Sequence, residues 1–132
     1  MEKENCIFCK IINNKIPAEK VYENENFMAL MDIKPVSDGH ILIIPKKHIV
    51  WMQEADDEII SKIFVLTKKL MLSLKKTTGC DFVQESVVGE EIPHFHIHLI
   101  PRYLNDNMPR FPTKVYKDGE SKKLAEKISS AL

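Results

Sequence analysis

The feature that most constrains the fold is an alternation of histidine with apolar residues between Pro93 and Arg102. It reads His94-Phe95-His96-Ile97-His98-Leu99-Ile100. Successive side chains of a β-strand point to opposite faces of the sheet. The spacing therefore predicts a strand with one apolar face, suited to packing on a helix, and one face carrying three imidazoles.

A long amphipathic helix is the second strong prediction. From Asp56 to about Lys76 the apolar residues recur every three or four positions, as on one helix face; they are Ile59, Ile63, Leu66, Leu70 and Leu74. Asp56 and Asp57 can cap the start of this helix, and Gly79 can end it.

The remaining segments predict short strands close together in sequence. They are "EKVYEN", "NFMALMDI", "GHILIIP", "CDFVQESV" and "HFHIHLIP". "CIFCKIINNK" predicts a short N-terminal helical turn, and "SKKLAEKISSAL" has helical spacing. Short strands interrupted by one long helix indicate an antiparallel α+β fold. The length of 132 residues predicts one domain, 1–132.

Charge and hydropathy exclude several function classes. Lys+Arg and Asp+Glu are both 19, so the net charge of zero argues against a nucleic-acid binder. No apolar run approaches the roughly 20 residues that span a bilayer, which argues against a membrane partner. "MEKENCIFCK" does not have the pattern of a signal peptide, so we expect a cytoplasmic protein.

Three clustered imidazoles allow several kinds of chemistry. Imidazole can act as a nucleophile, as a general acid or base, or as a metal ligand. A strand that only binds metal is one alternative, since His-x-His pairs ligate zinc. An exposed strand face that is merely rich in histidine is another.

The histidine segment resembles the His-φ-His-φ-His-φ-φ motif of the histidine triad (HIT) family, where φ is apolar. "MDIKP", "GHILIIPKKH" and the Cys6-x-x-Cys9 pair occur in the family's order. The resemblance covers about residues 5–103, and the tail 104–132 lies outside it. It implies a HIT-like α+β fold, a five-stranded antiparallel sheet with one long central helix and a short N-terminal helix, assembled as a homodimer.

The resemblance also implies an activity: hydrolysis or nucleotidyl transfer at the α-phosphate of a purine nucleotide, such as an AMP derivative. The family reaction passes through a nucleotidyl-histidine intermediate, and the position of its nucleophile is His96 here. His94 and His98 would flank the phosphate, and we favour His98 as the general acid.

The resemblance places the nucleoside as well. Asp32 matches the residue that accepts hydrogen bonds from the ribose hydroxyls, as a carboxylate can. The apolar positions that sandwich the base correspond to Ile7, Phe8, Ile11, Ile16, Leu30 and Ile33. Apolar walls are unselective, so we expect purine preference without a sharp choice between adenine and guanine.

The loop before the triad departs from the family pattern. Gly89 matches the family's glycine, but Glu90 and Glu91 replace a glutamine and a Ser or Thr, and Glu85 falls near the position of an asparagine. Ionised carboxylates accept hydrogen bonds only. This substitution predicts an unusual leaving group, a cationic substrate, a protonated glutamate that acts as an acid, or side chains that turn into solvent.

Cys6-x-x-Cys9 permits two readings. A redox dithiol would be expected in a thioredoxin-like βαβ unit, and the sequence has no such pattern. A tetrahedral zinc site needs two further ligands. By resemblance to zinc-containing HIT proteins these are His48 and His94, which predicts a structural Zn²⁺ held by Cys6, Cys9, His48 and His94.

Two other functions stay open from the sequence. One is a non-catalytic module that binds zinc and nucleotide, in which the acidic loop has suppressed turnover. The other is a zinc-dependent interaction protein with a vestigial cleft. His40 is predicted to be structural and Cys80 a small core residue, whereas Trp51 and Met52 are expected at a dimer surface or at the edge of the core.

Overall fold

The computed structural model describes residues 3–132. Its elements are the helices α1 (Ile7–Ile12), α2 (Asp57–Thr78) and α3 (Glu120–Ser130), and the strands β1 (Lys20–Glu23), β2 (Phe27–Met31), β3 (Ile41–Pro45), β4 (Phe82–Ser86) and β5 (Ile97–Arg102). A short 3-10 turn, Met52–Glu54, precedes α2. Within the described residues, no helix has both the length and the apolar composition needed to cross a membrane.

The five strands form one antiparallel sheet in the order β1-β2-β3-β5-β4. The predicted α+β class, the long helix and the short N-terminal helix are thus confirmed. Every residue of β3 is buried, because helices cover both faces of this central strand. The strand registers set Leu42 opposite His98 and Ser86 opposite the same histidine on the other side.

α2 covers one face of the sheet. Asp56 accepts a hydrogen bond from the Ile59 amide at its start, and Gly79 ends it with a φ of +70°. The predicted stripe supplies the buried Ile63, Leu66, Leu70 and Leu74, which pack against Phe95, Ile97 and Leu99. The apolar face of the histidine segment therefore packs on the long helix, as its alternation predicts.

α1 covers the other face. Its buried Phe8, Cys9 and Ile11 pack against Met28, Leu30, Leu42 and Ile44 of the sheet. Cys6 caps the helix by accepting a hydrogen bond from the Cys9 amide. This packing brings the Cys-x-x-Cys pair and the histidine face to the same side of the sheet.

The histidine strand is shorter than the sequence predicts. β5 begins at Ile97, so His98 alone of the three histidines lies in the ladder. The Phe95 amide donates to Ile49 O at 2.6 Å and the His94 amide to Ile92 O at 2.8 Å. The segment before β5 thus pairs with the chain after β3 and with its own turn, and it lies beyond the last β4 residue, Ser86, which pairs with His98. The predicted strand "NFMALMDI" likewise ends at Met31.

Candidate active site and metal cluster

The three histidines lie on the sheet face that α1 covers. His94 and His96 are buried, and His98 is half-buried. The Phe8 ring meets both buried imidazoles edge-on, with centroids 5.1 Å from His96 and 5.7 Å from His94. The rings of His96 and His98 are 4.9 Å apart. The tertiary structure therefore gathers the alternating imidazoles into one site.

The orientation of His96 leaves one ring nitrogen free for chemistry. Its Nδ1 lies 2.7 Å from the His94 carbonyl oxygen. Since a carbonyl can only accept, Nδ1 must carry the proton in this contact. In the neutral ring Nε2 then holds the lone pair, which is the state that a nucleophilic imidazole needs.

His98 is held by His40, which the sequence reading assigned to a structural role. The Val36 amide donates to Nδ1 of His40 at 3.0 Å, so in the neutral ring Nε2 of His40 carries the proton. That nitrogen lies 3.0 Å from Nδ1 of His98 and donates to it. The remaining ring nitrogen of His98, Nε2, is consequently a hydrogen-bond donor.

Asp32 closes this group of side chains. Its Oδ2 lies 3.4 Å from Nε2 of His40 and 4.0 Å from Nδ1 of His98, and its Oδ1 accepts from the Lys34 amide. Burial lowers the pKa of both His40 and His98, although the Asp32 carboxylate opposes the shift. Both rings are therefore neutral at pH 7.

The ligand atoms of Asp32, His40 and His98 lie close enough together for a metal ion. The tautomer of His40 argues against one. A metal on Nε2 of a neutral imidazole requires the proton on Nδ1, which would then face the Val36 N–H. We therefore describe His40 and His98 as a hydrogen-bonded relay that faces the Asp32 carboxylate.

A second cluster joins Cys6, Cys9, His48 and His94, whose ligand atoms all lie within 4.8 Å of one another. Nδ1 of His94 is 3.3 Å from the Cys6 Sγ and 3.7 Å from the Cys9 Sγ. Nδ1 of His48 is 3.3 Å from the Cys9 Sγ. Two sulfurs and two imidazoles form a donor set that suits tetrahedral zinc.

The state of His94 fits this metal. Its Nε2 donates to the Pro45 carbonyl at 2.8 Å, which directs the lone pair of Nδ1 toward the cysteines. Such a carbonyl contact commonly fixes the tautomer of a metal-bound histidine. Burial lowers the pKa of His94 to about 4, so the ring is neutral as a ligand must be, and burial also raises the pKa of the Cys9 thiol.

The residues expected around the base divide by exposure. Phe8, Ile11 and Leu30 are buried, and Ile16 is half-buried and packs against the same cluster. Ile7 and Ile33 are exposed, at 41% and 88%. The buried residues belong to the core between α1 and the sheet, on the same face as the histidines, while Ile7 and Ile33 present apolar surface that a ligand could cover.

The loop before the triad turns at Gly89. This residue is buried and has a φ of +78°, a conformation that glycine adopts without strain. Glu90 and Glu91 are exposed, and Glu85 is an exposed residue of β4. The Glu91 carboxylate is close enough to favour a proton on His98. The reading in which these glutamates turn outward agrees with their exposure.

Two site neighbours were missed by sequence reasoning. His40 contacts His98 because β3 and β5 are paired, and only that pairing reveals the contact. Trp51, expected at a dimer surface or at the edge of the core, packs against Gly89 beside His96. His40 lies in "GHILIIPKKH", a segment that contributes to the family resemblance. A single histidine after a glycine does not by itself indicate a role in the site.

Comparison with known proteins places these features in one family. The model of the HIT domain matches residues 13–105. An uncharacterized HIT-like protein of Methanocaldococcus jannaschii is 42% identical over 121 residues, which is 89% of each chain. An adenosine 5′-monophosphoramidase of Schizosaccharomyces pombe is 34% identical, covering 97% of this chain and 98% of its own. An adenylylsulfatase of Arabidopsis thaliana is 34% identical over 79% of this chain and 55% of its own length.

Solved structures agree. A HIT family protein of Bacillus subtilis superposes with a TM-score of 0.88 at 33% identity, over 98% of both chains. A zinc-bound histidine triad protein of Mycobacterium smegmatis superposes with a TM-score of 0.75 at 26% identity, over 97% of this chain and 98% of its own. With its matching sequence, fold and clustered histidines, this chain belongs to the HIT domain family.

Proposed function

We propose that this chain is a nucleotide hydrolase or nucleotidyltransferase that acts at the α-phosphate of a purine nucleotide. The observation that carries the proposal is the free Nε2 of His96, set by the 2.7 Å contact of Nδ1 with the His94 carbonyl. Relatives named for activity on an AMP phosphoramidate and on adenylyl sulfate support it. The substrate would be a phosphoramidate, an acyl-nucleotide or a dinucleoside polyphosphate.

The reaction would proceed in two displacements. The lone pair of His96 Nε2 forms a bond to phosphorus, and the bond between phosphorus and the leaving group breaks with its electron pair on the leaving group. Water or another acceptor then attacks the nucleotidyl-His96, loses a proton, and returns the free imidazole. One difficult step thus becomes two easier ones.

His98 would serve the leaving group. In the neutral relay, Nε2 of His98 donates a hydrogen bond to the transferring group or to the phosphate. For Nε2 of His98 to give up a proton, the His40–His98 pair must first carry one extra proton. The Asp32 carboxylate would balance this positive charge, since its Oδ2 lies 3.4 Å from the His40 ring and 4.0 Å from the His98 ring. Delivering that proton to a leaving amine returns the pair to its neutral state.

Asp32 would also accept hydrogen bonds from the ribose, with the base against the apolar side chains near α1. Gly89, Glu90 and Glu91 would lie at the phosphate, where their backbone amides are the available donors. His94 would act through its carbonyl on His96 and through Nδ1 on the metal.

We propose that Cys6, Cys9, His48 and His94 hold a structural Zn²⁺. When bound, zinc would tie α1 to the segment after β3 and to the triad. The cysteines form no disulfide within the described residues, and cysteines that bind a metal are typical of a reducing compartment, so we propose a cytoplasmic location.

We also propose a homodimer, on the evidence of α3. None of its residues is buried, and its apolar Leu124 and Ile128 are exposed by 41% and 66%. An amphipathic helix whose apolar stripe faces water needs a partner, and a second copy would supply one.

The deciding experiment measures AMP release from adenosine 5′-phosphoramidate by wild type and by His96→Ala. We expect turnover by wild type and at least a 1000-fold lower rate in the variant, because the nucleophile is gone. Equal, negligible release by both proteins with AMP still bound would favour the non-catalytic binding module, which the exposed Glu90 and Glu91 would explain.

A further inference from the structure

A small cavity opens beside His96 and Gly89, and its other lining residues have no part in the chemistry described so far. Its volume is about 190 Å³, and it lies between the turn after β3 and the loop after β4. Its lining residues are Val50, Trp51, Met52, Gln53, Val87, Val88, Gly89, Phe95 and His96. Two separate chain segments thus meet over the nucleophile.

The lining of this cavity is mainly apolar. Its walls come from valine, methionine, tryptophan and phenylalanine side chains, and Gln53 and His96 supply the polar groups. None of the lining residues is acidic or basic apart from the imidazole of His96. A ligand group that enters here gains from leaving water and finds no ionic partner.

The position of the cavity distinguishes it from the expected nucleoside side. The wall near α1 reaches His96 through the Phe8 ring, whose centroid is 5.1 Å away. The cavity reaches the same imidazole from the turn after β3 and from the loop at Gly89. Nucleoside and leaving group are both bonded to the phosphorus that His96 would attack, so two distinct spaces beside His96 suit these two groups.

We propose that this cavity is the leaving-group subsite, and that it selects leaving groups ending in one small aromatic ring or a branched alkyl group. The proposal rests on the nucleotide reaction proposed above. Its size supports the assignment, since an apolar protein cavity of about 150 Å³ can hold benzene. The subsite would favour amines or acids with a short apolar end.

Trp51 is the residue that shapes this subsite. A β-carbon placed on Gly89 would lie 3.2 and 3.3 Å from two carbons of the indole ring, so the ring packs directly on the loop. Trp51 is 43% exposed, and it is the only tryptophan in the sequence. Tryptophan emission therefore comes from this one residue, which lines the cavity.

The test compares adenosine 5′-phosphoramidate with its N-benzyl derivative. Their leaving groups are ammonia and benzylamine, which have nearly equal basicity. We expect the kcat/KM of wild type to be roughly 10- to 100-fold higher for the benzyl compound, the gain expected from burying one ring. Trp51→Ala and Val88→Asn should reduce this ratio toward one, while Trp51→Phe retains most of it. Val65→Ala, at an exposed position of α2, is the control that keeps the wild-type ratio.

A binding measurement separates the subsite from the reaction. In the His96→Ala variant, the benzyl compound should shift the Trp51 emission and bind at least tenfold more tightly than adenosine 5′-phosphoramidate. If wild type turns over neither compound, the proposed reaction is wrong. The ratio of the two affinities in His96→Ala then tests the subsite independently of turnover.

Three results would overturn the subsite. The first is equal kcat/KM for both compounds in wild type. The second is an equal loss of kcat/KM for both compounds in Trp51→Ala and in Val88→Asn. Such a loss would mean that these residues only support the Gly89 loop. The third is equal affinity of His96→Ala for both compounds.

Discussion

Nε2 of His40 lies 3.0 Å from Nδ1 of His98, and this contact decides which nitrogen of His98 can donate to a ligand. The direction of the bond follows from the Val36 amide, which occupies the other nitrogen of His40. The Val36 N–H thus fixes the tautomer of His40, and His40 in turn fixes the tautomer of His98. The site then presents one acceptor, Nε2 of His96, and one donor, Nε2 of His98.

Replacing His40 tests this relay. His40→Leu removes the donor, so His98 can turn or change tautomer, and we expect kcat for AMP release to fall roughly 10- to 100-fold, as for other losses of positioning. His40→Gln keeps an N–H donor and should recover part of the rate. The measurement is kcat and KM for both variants.

KM should change by less than about threefold in these variants, because His40 is buried behind His98. Wild-type kcat in His40→Leu would contradict the relay. Equal losses in His40→Leu and His40→Gln would show that ring packing matters and hydrogen bonding does not.

Loss of zinc should destabilise the fold around α1. Cys9→Ser weakens a ligand set whose sulfur lies 3.3 Å from Nδ1 of His48. We expect the purified variant to hold less than a tenth of the zinc of wild type. At a free zinc concentration about 1000-fold above Kd, wild type should gain about 4 kcal/mol over its metal-free form.

Cys80→Ala is the matched control for zinc content, because Cys80 is a buried free cysteine outside the metal cluster. Elemental analysis and thermal unfolding with and without a chelator provide the measurements. Wild-type zinc content in Cys9→Ser would contradict the assignment of this ligand.

The metal-free protein should lose stability in acid through His94. The folded-state pKa of His94 is about 4, below the ordinary value of 6.5, because the ring is buried. Between these values the unfolded chain binds the proton and the folded chain does not, so the contribution is complete above pH 6.5 and is lost as pH falls toward 4. The shift corresponds to about 3 kcal/mol.

Urea unfolding of the chelator-treated protein at pH 7.0, 5.5 and 4.5 measures this dependence. His40 and His98 have pKa values lowered by burial as well, and they act in the same direction. His94→Gln should show a smaller decline over this range. A pH-independent free energy of unfolding would contradict the burial of neutral histidines.

Gly39 and Gly119 form a matched pair for backbone strain. Both have positive φ, +93° and +81°, but only Gly39 is crowded: an added β-carbon would lie 3.1 Å from Thr78 Cγ2 and 3.2 Å from Pro101 Cγ. Gly119→Ala should cost about 1–2 kcal/mol from its φ alone. Gly39→Ala should cost about 1–3 kcal/mol more because of the contacts.

Denaturant unfolding of both variants measures these costs, and their difference isolates the crowding. Equal destabilisation would show that Thr78 and Pro101 yield without cost.

The proposed homodimer depends on the apolar stripe of α3. Ile128→Glu places a charge on that stripe at a position 66% exposed in the single chain. We expect light scattering to give twice the chain mass for wild type and the single-chain mass for the variant at micromolar concentration. Lys122→Gln, at an exposed position on the same helix, changes the net charge by the same one unit and is the control, and a monomeric wild type would contradict the proposal.

The sequence determined the periodic elements and the chemistry of the site. Alternation at Phe95, Ile97 and Leu99 and the stripe on α2 specified two apolar faces, which had to pack on each other. Local capping by Asp56 and Gly79 defined where the helix begins and ends. Such signals lie within a few residues of one another, so the sequence alone reveals them.

Tertiary structure decided what the histidines contact. The strand begins only at Ile97, where its pairing with β3 starts, and β4 on its other side ends opposite His98. His40 meets His98 across 58 residues, and Cys6 meets His94 across 88. These contacts depend on the order in which strands pair and on which sheet face α1 covers. Neither is encoded locally, so the donor and acceptor roles of the imidazoles emerge only when the sheet is assembled.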